Sequence, residues 1–181
     1  PLGGTSGGFR RVGSNNRAGA LFGSNRRMDC TFPLLPVGDT VAFYVAVQMH
    51  STITGFQRVA AVAELNLMTD SGLPYLLLGN GGVKHSQSTT AGQNAILYGR
   101  YRNVIGAADR NRVGFTGQPV QAGSGGNNAL TTANAQVTLG TNNLGHNPWP
   151  GRIAELVLAR DLAVGSEETG LYAAAGAFFG M

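Results

Sequence analysis

One cysteine, one lysine and one tryptophan in 181 residues set the first limits. A single thiol, Cys30, excludes an internal disulfide framework and a thiolate zinc site, and leaves a buried inert thiol as the expectation. Charged residues are scarce at 12% while hydrophobic residues reach 43%, which excludes both a chain disordered by composition and a charge-rich helical protein. Long apolar runs are missing as well. None approaches the roughly 18 residues of a membrane span, and no opening stretch has the basic, apolar, small-residue order of a signal peptide. The start at Pro1 leaves an upstream segment open, so the opening sets no compartment.

What charge there is comes almost wholly from arginine. The formal +4 rests on 12 arginines and Lys84 against nine acids. Arg10, Arg11, Arg17, Arg26, Arg27, Arg100, Arg102, Arg110 and Arg112 are spread through strands and turns, with no aromatic interleaving and no nucleic-acid motif. Nucleic acid is therefore not an expected partner. The planar guanidinium fork suits carboxylates and carbonyls of neighbouring protein subunits, which makes the pairs Arg10–Arg11 and Arg26–Arg27 the candidate protein contacts.

Seven strand-like runs are read at 41–49, 58–67, 74–78, 94–102, 112–120, 130–139 and 152–159. Between them lie Gly, Asn, Ser and Pro clusters, LGNGG, GSGGNN and GTNNLGHNPWPG among them, which is turn chemistry. Short strands with regular breaks predict an all-β sandwich. The strongest hairpin signal covers 112–139, with its tip at GSGGNN (123–128) supplying positive backbone angles. One helix is expected over 166–179: Ser166 caps, Glu167 and Glu168 sit in the first turn, and Leu171, Tyr172, Ala175, Phe178 and Phe179 follow helical spacing. It is too short to stand alone, so its aromatic face packs on the sandwich, and Gly180 ends it. Residues 1–19 are expected to form an N-terminal arm docked on a neighbour, and residues 20–181 the domain.

The closing stretch GRIAELVLARDLAVGSEETGLYAAAGAFFG (151–180) resembles the end of concanavalin A-like jelly-roll domains of the laminin G-like type. There a Gly-Arg-Ile-Ala-Glu strand leads through an acidic residue and a leucine to a short Glu-bearing helix ending in Gly. Residues 18–49 are similar to the family's opening, in which a Phe-x-Gly-x-Asn turn precedes a loop and a Gly-Asp-Thr-Val strand start. Residues 112–142 are similar to its late hairpin and following Leu-Gly turn. Together the matches cover about 20 to 179 in the family's order. The resemblance implies an antiparallel two-sheet jelly-roll sandwich whose last strand crosses one sheet and whose C-terminal helix covers an open end. Thr116-Gly117 stands where the family has Asn-Gly, and Gly114 lies where it has a tyrosine, so contacts on that edge are not carried over. The fold hosts lectins, glycan hydrolases, adhesion modules and virion parts, and does not choose among them.

Chemistry narrows the choice. A glycan hydrolase needs paired carboxylates about 5 Å apart, or somewhat farther for inversion. The acids are Asp29, Asp39, Glu64, Asp70, Asp109, Glu155, Asp161, Glu167 and Glu168, and only the last two adjoin, at a helix start. Glu64 and Glu155, alone in apolar strands, are expected in structural ion pairs with arginine. His50, His85 and His146 lack metal-ligand spacing and are expected exposed in loops. No cofactor or metal is expected; calcium, held by many relatives, would have only Asp70, or Asp109 with Asn111, to draw on.

Asn142, Asn143, His146, Asn147 and Trp149 form the candidate glycan site, a flat indole beside amide donors and acceptors. On that reading Trp149→Ala weakens glycan retention without unfolding the domain. The competing reading, favoured by the flanking prolines, makes Trp149 a plug at the sandwich end. The expected function is a non-catalytic binding or structural module of a larger assembly, a phage virion decoration, fibre or adhesin that contacts glycans. The alternatives are a soluble or extracellular bacterial lectin and a glycan hydrolase.

Overall fold

The structure, a computed structural model, describes residues 10–12, 17–22, 27–32, 40–49, 54–62, 64–78, 81–104, 107–125, 135–141, 146–160 and 166–180. In chain order the strands are β1 (Arg10–Val12), β2 (Arg17–Leu21), β3 (Met28–Phe32), β4 (Thr40–Gln48), β5 (Phe56–Val62), β6 (Leu65–Asp70) and β7 (Leu73–Leu78). They continue with β8 (Gly81–Lys84), β9 (Asn94–Arg102), β10 (Asn111–Phe115), β11 (Gln121–Gly123), β12 (Ala135–Leu139) and β13 (Arg152–Arg160), and helix α1 (Ser166–Phe179) follows. A seven-stranded sheet has the order β1-β2-β13-β4-β9-β10-β11, and a six-stranded sheet the order β3-β12-β5-β6-β7-β8. All ladder pairings between these strands are antiparallel, as the jelly-roll expectation requires.

The main core lies between the sheets. Val41, Val45 and Val47 of β4, with Leu97 and Tyr101 of β9, meet Val62, Leu65, Leu67, Leu76 and Leu78 from the other layer. A second cluster lies on the far side of the seven-stranded sheet, where Ala42, Tyr44, Ala46, Ile96 and Tyr98 are buried beneath α1 and its Phe179. β4 and β9 are thus covered on both faces, which is why their sequences are almost continuously apolar. Burial pushes the phenol of Tyr172, which packs on this cluster, above its ordinary pKa, with Thr116 drawing it back.

Three sequence expectations change at this level. Run 58–67 is not one strand but the β5–β6 hairpin turning at Glu64, because continuous apolar sequence conceals a tight turn when both arms are buried. The 112–139 hairpin does not form. β10 turns back at Thr116–Gln118, where Gly117 takes φ +82°, and pairs with β11, whereas β12 belongs to the opposite sheet. Of the expected arm, Arg10–Val12 and Arg17–Gly19 are sheet residues, and residues 1–9 and 13–16 lie outside the described residues. Finally, α1 does not cover an open end. It lies across the outer face of the seven-stranded sheet, over β4 and β9.

One side of the sandwich is closed where edge strands β8 and β11 approach. His85 is buried at 1% exposure, against the expectation of an exposed loop residue. Its Nε2 donates to the Pro119 carbonyl at 2.9 Å, and its Nδ1 accepts from the Gln87 amide at 3.0 Å. Its ring meets Phe115 edge-on at 5.1 Å. Beside it, Ser86 N–H donates to Gln121 Oε1 at 2.8 Å and Gln121 Nε2 donates to Ser86 Oγ at 2.5 Å. Gln121→Ala removes both of the latter bonds and is expected to destabilise the domain by about 1–2 kcal/mol in urea unfolding. A change below the error of that measurement would show the reciprocal pair to be decorative.

Candidate functional site

The GTNNLGHNPWPG loop returns to the six-stranded sheet along β5. Asn147 takes φ +52°, a left-handed turn that asparagine tolerates better than most residues. Its carbonyl accepts from Arg58 N–H at 2.8 Å, and Pro148 forms an isolated parallel bridge with Arg58. Thr141 Oγ1 and Arg58 Nη1 both donate to the His146 carbonyl, at 2.9 and 3.5 Å. The chain then enters the core. Trp149 N–H donates to the Gly140 carbonyl at 2.7 Å, and its side chain is fully buried. Gly151 makes room for the indole: a Cβ there would sit 2.8 Å from its Cε2 and 2.4 Å from the Gln48 carbonyl oxygen.

The outer face of the same sheet carries a cross-strand row. Arg58, Met68, Tyr75 and Lys84 are directly paired across β5, β6, β7 and β8. At ~4.8 Å per strand, the row spans about 14 Å. In the adjoining row Phe56 pairs with Asp70 and is 50% exposed, the most exposed large apolar side chain described. Lys84 pairs with Asp70 and stands 5.4 Å over the Tyr75 ring. Ser71 Oγ donates to the other Asp70 oxygen at 3.4 Å. An exposed aromatic ring, a half-buried phenol and an ion pair therefore share one surface with the edge of the His146–Asn147 loop.

The predicted residues divide accordingly. His146 and Asn147 are exposed, Asn142 and Asn143 lie outside the described residues, and Trp149 is withdrawn into the core. Its rings are not presented to a sugar, so the plug reading is the one that fits the geometry. The exposed ring on this face of the sheet is Phe56, which sequence reasoning passed over because the apolar run following it hid which side of the strand it takes. Among the candidate protein contacts, Arg27 pairs with Asp29 at 3.0 Å, Arg10 and Arg11 lie on edge strand β1, and Arg26 is outside the described residues.

The carboxylates are also accounted for. All three described aspartates are in ion pairs: Asp29 with Arg27, Asp70 with Lys84, and Asp109 with Arg100 and Arg102 at 3.8 and 3.4 Å. Asp70 and Asp109, the side chains on which a calcium ion would have drawn, thus each face a cation, and among the described residues no three His, Cys, Asp or Glu side chains cluster as metal ligands. Glu64 and Glu155 are exposed and form no ion pair among the described residues, which corrects the expectation of structural pairs. Glu155 instead lines an apolar groove of about 200 Å³ between α1 and β13, together with Val157, Ala174 and Phe178.

No protein-family model and no curated protein matches this chain. Solved structures with a similar fold include domain 4 of an extracellular arabinanase from Geobacillus stearothermophilus, determined in complex with arabinotriose. It aligns over 94% of this chain and 84% of its own length, with TM-score 0.56 and 19% identity. Domains LG4-5 of the mouse laminin α1 chain align over 86% of this chain with TM-score 0.54 and 15% identity, and this chain spans 44% of that structure's length. A native heptameric pentraxin from Limulus polyphemus aligns over 76% of this chain and 73% of its own, with TM-score 0.52 and 15% identity. Likeness at this identity establishes the concanavalin A-like jelly-roll fold and nothing finer. The virion expectation gains no support from these structures, and no helix among the described residues is long and apolar enough to cross a membrane.

Proposed function

We propose that this domain is a non-catalytic carbohydrate-binding module that docks saccharides on the outer face of the six-stranded sheet. Phe56 stacks on the apolar face of a sugar ring, and Asp70, Lys84, Tyr75 and the His146–Asn147 loop edge supply hydrogen bonds to its hydroxyl rim. The observation that carries this reading is the position of Phe56, half exposed and in register beside the Asp70–Lys84 pair. The arabinanase domain, which holds arabinotriose on the same fold, supports it by analogy. The engagement of every described aspartate by a cation supports a binding role over acid–base work by those carboxylates.

The reading predicts that Phe56→Ala lowers affinity for a retained glycan by about tenfold or more, a loss of about 1.4 kcal/mol. The melting temperature should stay nearly constant, because the side chain is half in water already. Array retention followed by calorimetric titration of the strongest hit measures it. Unchanged affinity in a folded variant would remove Phe56 from the site.

A further inference from the structure

Arg58 differs from the other cations on its face. Lys84, at the far end of the same row, is neutralised by Asp70, and Arg27 by Asp29. Arg58 has no carboxylate within 4 Å among the described residues. Its Nη1 makes one long bond, 3.5 Å, to a neutral carbonyl, and its Nε is buried with no acceptor. Glu167 and Glu168 belong to α1, which packs on the other sheet, and Asp39 and Asp161 lie outside the described residues. Burial lowers the Arg58 pKa from its ordinary value, as expected for a partly desolvated cation without an anion to offset the loss of water. Met68 and Tyr75, its neighbours along the row, bring no charge.

A half-buried guanidinium with part of its donor fork unused favours an oxyanion, which would take two parallel bonds and restore the charge balance. We propose that Arg58 makes this platform selective for acidic saccharides, by binding a carboxylate or sulfate substituent of the sugar that stacks on Phe56. The inference rests on the saccharide reading above and adds the ligand's charge and the residue that reads it. The Asp70–Lys84 pair at the other end of the row is self-compensated, so the selectivity is directional: the acidic substituent lies toward β5 and the His146–Asn147 loop, and neutral hydroxyls lie toward β8.

The test uses the full chain on an array carrying uronate-containing, O-sulfated and neutral oligosaccharides of matched length, with Arg58→Gln and Arg58→Lys alongside. Charge-assisted hydrogen bonds set the expected scale, and acidic glycans should be retained about tenfold or more over neutral counterparts, with the preference shrinking as salt is added. Arg58→Gln should erase the preference, and Arg58→Lys, which keeps the charge but loses the fork, should keep part of it. The uronate and sulfate arms identify which oxyanion is read. Equal retention of acidic and neutral glycans would overturn this inference and leave the saccharide platform standing. No retention of any glycan would overturn the platform and the inference with it. An acidic preference surviving intact in Arg58→Gln would place the anion elsewhere. Thermal melts establish that each variant is folded, and Arg58→Lys carries the test if Arg58→Gln is not.

Discussion

Trp149→Ala lowers the unfolding free energy by about 3–5 kcal/mol, the cost of truncating a large buried aromatic side chain whose space the surroundings refill only in part. The side chain is fully buried, and its neighbours are held against it by backbone: its own amide is bonded to Gly140, and Gly151 lies close against the indole. A collapse that shrinks the cavity would have to move β13, which is paired to β4 over its whole length, so little relaxation is available. The indole Nε1 finds no acceptor among the described residues. Trp149→Phe therefore loses no hydrogen bond and, leaving a smaller cavity, should cost less than Trp149→Ala. The ordering of the two variants in urea unfolding separates a packing role from a sugar-stacking one. A folded, fully stable Trp149→Ala that lost glycan retention would restore the surface reading.

The buried Trp149 shows what the sequence could and could not reveal. Tryptophan among asparagines and prolines has two physical destinations, a solvent-facing platform or a plug. The choice depends on Asn147 taking a left-handed turn and on the Pro148–Arg58 bridge, neither of which has a periodic signature. Long elements were legible: the bounds expected for β9 and α1 are those observed, and those for β4, β7 and β13 differ by a residue. Short edge strands were not. β1, β8 and β11 span only three or four residues, too few to display alternation, and the partners that stabilise them are distant in sequence or joined by tight turns. The site suffers from the same limit. Phe56, Arg58, Asp70, Tyr75 and Lys84 become neighbours only once four strands are in register, and the apolar runs around them disguise which residues face outward. The family-like ending gave the right elements and the wrong placement for the helix, because a short amphipathic helix reads alike whether it caps an end or lies across a sheet.

Phe179→Ala tests that placement and is expected to cost about 3–5 kcal/mol, whereas Phe178→Ala should cost less than about 1 kcal/mol. The two rings are adjacent and touch edge-on, with centroids 5.0 Å apart, yet Phe179 is 3% exposed and Phe178 is 47%. Helical spacing assigns both to one apolar face. The structure separates them, with Phe179 joining Tyr44, Tyr98 and Tyr172 over the sheet and Phe178 lining the open groove. Small residues set how close the helix comes: Ala42 and Ala46 on β4 and Ala175 on α1 all belong to this contact. Because the seven-stranded sheet stands between this cluster and the main core, loss of the helix contact need not disorder the sandwich. A chain ending at residue 165 should therefore expose Tyr44, Ile96 and Tyr98, bind a hydrophobic dye and lose stability by more than the single Phe179→Ala variant. The lone tryptophan reports on the other layer. If its emission stays that of a buried indole while the dye binds, the helix is a separable cover; if dye binding and red-shifted emission arrive together, α1 and the two-sheet core fold as one unit.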